Sequence, residues 1–246
     1  MSLTTVNFFE VVKKQYVFKM KSYRSLFTSL IITQLIGILF SMGGGGSMGI
    51  GGGDFYVNIS FLSADIVIAF TMLAVFTYGI QLTTKAYRYD DFTFVTNRMS
   101  ACIANIFFLL SMSVFGAITA ILSGNLIKVI AYFMEDSVVD IRSSITIMQY
   151  VFGVVSTILL IFLFSTFGYF IGAMVQRHKL FMFVIPTVII GVIVFFSKWE
   201  IQLVVEFGKF FFQETLFSLF VLKVGVTSLL LFAVSFWAMN RLEVRE

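Results

Sequence analysis

The stretch MSACIANIFFLLSMSVFGAITAIL, residues 99–122, decides the fold: 24 consecutive residues carry neither a charge nor a proline. An α-helix needs about 20 apolar residues to cross roughly 30 Å of hydrocarbon, so this window has the length of one membrane span. Apolar windows of similar length lie on both sides of it, at 25–42, 61–82, 145–174, 181–196 and 217–239, with one charge each in the second and last, Asp65 and Lys223. Six spans are therefore expected. The window at 181–196 is short and holds the chain's one proline, Pro186, which removes a backbone donor and is expected to bend that helix near its middle.

Composition agrees with this reading. Of 246 residues, 59% are hydrophobic and 12% charged, with a mean hydropathy of +0.99, too little polar surface to cover a water-soluble enzyme. Disorder needs the opposite balance, and a disulfide scaffold needs more than the lone Cys102. A transmembrane barrel would show short alternating strands. The expected class is an all-α, polytopic membrane protein with six transmembrane helices.

Charge sets the expected orientation. With the N-terminus in the cytoplasm, an even number of spans puts twelve of the seventeen basic residues inside: Lys13, Lys14, Lys19, Lys21, Arg24, Lys85, Arg88, Arg98, Arg177, Lys179, Arg241 and Arg245. Five acidic residues accompany them, whereas the outer segments hold five basic and eight acidic residues, giving +7 inside and −3 outside. Both termini are expected to be cytoplasmic. The basic residues gather at span ends and form no nucleic-acid stripe, so no nucleic-acid partner is expected. No small-residue cleavage site follows the first span, so it is expected to remain in the protein.

The segments between spans are more specific. In residues 1–24, Val6, Phe9, Val12, Tyr16 and Met20 recur at spacings of three and four, opposite Asn7, Glu10 and Lys14. This pattern predicts an interfacial amphipathic helix over 3–21, either a lipid anchor or a gating elbow at the start of the 25–246 transmembrane domain. Residues 43–53 hold eight glycines in eleven positions, and without the Gly-Lys-Ser/Thr of a phosphate loop they read as a flexible outer linker.

The loop at 83–98 mixes both charge signs with aromatics. Tyr87, Tyr89, Phe92 and Phe94 suit a partner's pocket, and Arg88, Asp90, Asp91 and Arg98 suit a charged rim; the alternative is a loop whose aromatics rest among lipid headgroups. His178, the only histidine, lies in the short basic connection at 176–179 without metal-ligand company.

On the outer side, residues 126–145 suit a surface helix. The stretch at 198–214 is interrupted by charge too often to cross, so a shallow or re-entrant amphipathic helix is expected. Asp65 and Lys223, near the outer ends of the second and sixth spans, are candidate pathway or outer-gate residues together with Glu200 and Glu206. Either Asp65 and Lys223 escape the bilayer by shallow depth and snorkelling, or they pair across a pathway. The spans hold no histidine, no paired acids and no hydrolase or zinc-protease motif, so neither a catalytic residue nor a metal site is expected.

The sequence at 87–98 with the following MSACIANIFF, the tail WAMNRLEVR at 237–245, and the order of segments together resemble ABC exporter permeases of the second type, the bacterial drug, lipid and peptide exporters. The resemblance spans the whole chain. It implies that 87–98 docks on a cytosolic ABC ATPase dimer, that 3–21 is the gating elbow and that 198–214 supplies the outer re-entrant helices. It also implies a second permease copy, identical or paralogous, and a place in the bacterial plasma membrane. It implies no cofactor in this chain; Mg-ATP would bind the partner, whose closure would drive alternating access. The glycine-rich loop departs from the compact connection usual in such permeases. Other readings of the residues are a substrate-binding membrane component or small carrier, and a membrane-bound immunity or structural protein.

Overall fold

A computed structural model describes residues 7–43, 46–52, 55–61, 64–92, 98–133, 147–198 and 217–240. Helix α1 (Phe8–Ser22) is capped by Asn7, whose side chain accepts from the Phe9 amide, and it ends at Tyr23. Helix α2 (Arg24–Gly43) follows at once. Strands β1 (Gly46–Gly52) and β2 (Phe55–Phe61) pair antiparallel, Gly46 opposite Phe61 and Gly52 opposite Phe55. The remaining elements are α3 (Asp65–Leu82), α4 (Lys85–Phe92), α5 (Arg98–Phe133), α6 (Ile147–Arg177), α7 (Phe181–Lys198) and α8 (Phe217–Asn240).

Among the described residues, five helices are long and apolar enough to cross a membrane, over Arg24–Met42, Asp65–Leu82, Arg98–Ile130, Tyr150–Arg177 and Phe217–Met239. Large apolar side chains such as Leu39 and Phe40 on α2, Leu122 on α5 and Leu229 and Leu230 on α8 remain exposed on their outer faces. Water would penalise such a surface, whereas hydrocarbon does not. Helix α7 covers the window at 181–196 and packs on α6. Pro186 is its sixth residue rather than its midpoint, and the helix continues through it.

Several boundaries differ from the sequence reading. The second span does not begin at residue 61, because Phe61 ends β2 and the helix starts at Asp65. A carboxylate in the first turn suits the positive end of the helix dipole, which makes Asp65 a helix-start residue. The expected flexible linker contains β1, whose glycines are joined to β2 by ladder hydrogen bonds. The third span does not stop near residue 122. It runs on to Phe133, so 126–133 continue α5 and form no separate surface helix. No proline interrupts this run, and Gly124 leaves room for Ala64, whose Cβ would stand 2.7 Å from any Cβ added there. The re-entrant segment expected at 198–214 lies outside the described residues, apart from Lys198 at the end of α7.

The core sits where α3 crosses α6, with α5 and α8 also packed on α6. A Cβ on Gly79 would meet the Ser165 carbonyl oxygen, one on Gly168 the Phe76 carbonyl oxygen, and one on Gly172 the Thr83 hydroxyl. The backbones therefore touch, as small residues spaced by four allow in membrane helices. Around this crossing lie the buried side chains of Val75, Phe108, Leu109, Met112, Ile161 and Tyr169. Several hydroxyls in the bundle are satisfied locally: those of Thr33, Ser113 and Thr166 donate to carbonyls four residues earlier at 2.8–2.9 Å. Gln34 Nε2 on α2 donates to Thr71 Oγ1 on α3 and to the Gly116 carbonyl on α5, each at 3.0 Å, tying three helices together.

Candidate functional site at the α4 end of the bundle

Helix α4 is reached from α3 through Thr83 and Thr84, whose amides bond back to the Ile80 and Gln81 carbonyls and whose hydroxyls cap the same two carbonyls at 2.7 Å. The helical ladder is interrupted there, so α4 is a separate helix from α3. Its residues divide by helical spacing into two faces. Tyr87 and Asp90 turn toward the bundle: the Tyr87 ring lies 4.6 Å from the Tyr23 ring, edge-on at 63°, and Asp90 Oδ2 accepts from the Tyr23 hydroxyl at 2.9 Å. Lys85, Ala86 and Tyr89 are on the outward side, with Tyr89 59% exposed.

The sequence pattern treats four aromatics and four charges at 87–98 as one surface, whereas their positions are unequal. Tyr87 is half-buried against the core and Asp90 is engaged by Tyr23. Arg88 is half-buried, with a buried Nε that has no hydrogen-bond partner among the described residues. Burial pushes its pKa below the ordinary guanidinium value. Nearby Tyr89 and Tyr169 oppose that shift, and the Arg98 charge reinforces it. Arg98 opens α5, where its Nη1 donates to the Met239 carbonyl of α8 at 3.2 Å. Asp91 and Phe92 complete the α4 backbone, and Phe94 lies outside the described residues.

Helix α1 approaches the same end and packs on α5. The Tyr16 hydroxyl and Ser111 Oγ are 2.8 Å apart, and the Tyr16 and Phe107 rings 6.4 Å. Val12, Gln15 and Lys19 are buried, an inner face more polar than the Val6–Phe9–Val12–Tyr16–Met20 pattern implies. Lys19 Nζ lies 5.9 Å from the centre of the Tyr23 ring. The end of α8 is held by two further contacts: Arg177 of α6 stacks 4.8 Å over the Trp237 ring, and the Tyr169 hydroxyl faces Met239 Sδ at 3.4 Å while accepting from Asn105 Nδ2 at 3.3 Å.

Tyr23 is the residue that sequence reading missed. It falls between the amphipathic pattern and the first apolar window, where no periodicity marks it, and its role arises from tertiary packing.

At the other end, Asp65 is exposed at the start of α3 and Lys223 is half-buried in α8, on helices that both pack against α6. Glu200 and Glu206 lie outside the described residues. Among the described residues, no three His, Cys, Asp or Glu side chains converge. In comparisons with protein-family models, curated proteins and solved structures, nothing matches the chain.

Proposed function

We propose that the chain is the membrane-spanning permease of an ATP-driven ABC exporter of the second type, with α4 as its docking segment for a cytosolic ATPase. One observation carries this reading: a short helix between two membrane-length helices is fixed on its inner side by Tyr87 and Asp90 and presents Tyr89 outward. An aromatic anchor on a rigid base is the kind of surface on which a protein partner gains affinity. The rest of the proposal rests on the sequence. Six spans with both termini inside follow from the charge-poor windows and the basic bias, and the bacterial plasma membrane follows from the family resemblance.

On this reading the chain does no chemistry of its own. Two permease copies stand above two ATPase subunits, Mg-ATP closes the ATPase pair, and the closure shifts the helix bundles between inward- and outward-open states. The cargo proposed is an amphipathic peptide, antimicrobial or lipid-like molecule, because phenylalanine and methionine give an adaptable apolar surface. Purification in mild detergent from the native host tests the proposal. A stoichiometric ATPase lost on Tyr89→Ala supports it; a bound small ligand without an ATPase would instead indicate a carrier.

A further inference from the structure

We infer that Tyr23 is the positioning residue through which movement of α4 reaches the first membrane helix; this rests on the reading of α4 as the ATPase docking segment. Tyr23 stands at the break between α1 and α2, with backbone angles of −100° and 33°. Its amide donates to the Lys19 carbonyl at 2.9 Å, closing α1, and its carbonyl accepts from the Leu26 amide at 3.1 Å, opening α2. A force on this residue therefore acts on the joint between two helices. Its side chain is 7% exposed.

That side chain carries the connection to α4. Its hydroxyl donates to Asp90 Oδ2 at 2.9 Å, a bond strengthened by the carboxylate's charge. Its ring meets Tyr87 edge-on, and on another side meets Phe108 of α5 at 5.9 Å and 87°. Covalently, α4 joins α3 through the Thr83–Thr84 turn, and a swing about that turn is opposed by the contacts of Tyr87 and Asp90 with Tyr23. Helix α1 is separately fastened to α5 through Tyr16 and Ser111, so displacement of α4 is passed to the α1–α2 joint and from there into the bundle. Asp90, which the sequence offers as a rim charge for a partner, is thus an internal fastening.

The inference predicts that α1 and α4 move as one body. The test uses spin labels at Lys13→Cys and Lys85→Cys, both exposed positions, in a Cys102→Ser background, with the full chain and its co-purified ATPase in lipid nanodiscs. Pulsed dipolar spectroscopy is recorded without nucleotide and with a non-hydrolysable Mg-ATP analogue. With Tyr23 intact, one narrow distance is expected in both conditions. Tyr23→Phe keeps the ring contacts and deletes the charge-assisted bond, so the fastened population should fall about tenfold relative to the released one. The distribution should then broaden and become nucleotide-sensitive.

Asp90→Ala should reproduce this effect, the double variant should add nothing, and Asp90→Asn, which still accepts, should fall between. A distance that stays narrow in Tyr23→Phe and Asp90→Ala while the ATPase remains bound overturns the inference alone. Absence of an ATPase from the unsubstituted complex overturns the exporter reading beneath it.

Discussion

Replacing Gly168 by alanine tests whether direct backbone contact between α3 and α6 organises the bundle. A Cβ at Gly168 would overlap the Phe76 carbonyl oxygen and stand 2.9 and 3.1 Å from the Phe76 carbonyl carbon and Cα. Ordinary carbon contacts begin near 3.5 Å, so the helices must separate by roughly half an ångström or more along this seam. The neighbouring contact at Gly79, where an added Cβ would be 2.7 Å from the Tyr169 amide nitrogen, belongs to the same seam and would loosen with it. Overpacking of this kind costs about 1–3 kcal/mol.

Gly153 on the same helix supplies the control, because a Cβ there meets nothing within 4 Å. Alanine at that position gains up to about 1 kcal/mol in helix propensity. That gain applies equally at Gly168 and cancels, so the two variants should differ by about 1–3 kcal/mol in reversible unfolding in mixed detergent micelles, followed by far-ultraviolet circular dichroism. If Gly168→Ala and Gly153→Ala unfold within about 0.5 kcal/mol of each other, the reasoning about the crossing is wrong.

Further outcomes follow from other contacts. Gln34→Leu severs the ties to Thr71 and the Gly116 carbonyl and should destabilise the bundle by about 1–2 kcal/mol in the same unfolding assay, near the upper range for interhelical hydrogen bonds in membranes. Gln15 is fully buried in α1, and neither end of its amide has a hydrogen-bond partner among the described residues; Gln15→Met should slow hydrogen exchange in α1 by removing an uncompensated desolvation cost of about 1–3 kcal/mol. Exposed Glu10 is held below the usual carboxylate range, first by the Lys14 hydrogen bond and then by that residue's charge, at an ion-pair distance of 2.7 Å. A lowered folded-state pKa means that the pair's contribution is present above the unfolded value and lost as pH falls through the folded one. Carbon-13 titration of the Glu10 carboxyl should show this low midpoint, and Lys14→Gln should restore an ordinary one.

The apolar windows made the long helices legible because membrane length leaves few other options for residues such as 99–122. Helix ends were less legible. The third apolar window is read to residue 122, yet the helix runs on through Lys128 to Phe133, where no apolar window marks it. The glycine-rich segment misled in a related way: its composition speaks for chain freedom, whereas the pairing with 55–61 depends on a partner strand that composition does not reveal.

At the candidate site, the mixture of aromatics and charges sets 83–98 apart from the apolar windows as a loop, whereas residues 85–92 form a separate helix. Which face of that helix is spent internally was not legible. Tyr87 and Tyr89 look alike in sequence, and only the position of Tyr23, more than sixty residues earlier in the chain, assigns one inward and leaves the other outward. Small residues told a similar story. Gly79, Gly168 and Gly172 resemble Gly153, Gly191 and Gly225 in sequence, and only the crossing of α3 and α6 separates glycines where an added Cβ crowds the neighbouring helix from glycines where it meets nothing within 4 Å.

Site-specific photo-crosslinking in living cells, with a photoreactive amino acid replacing Tyr89 on α4 or Leu229 on the exposed face of α8, tests the central claim most directly. The account predicts that position 89 forms an adduct with a nucleotide-binding ATPase, identified by mass spectrometry, while position 229 labels lipid. Lipid adducts at both positions, with no protein captured at 89, would contradict it.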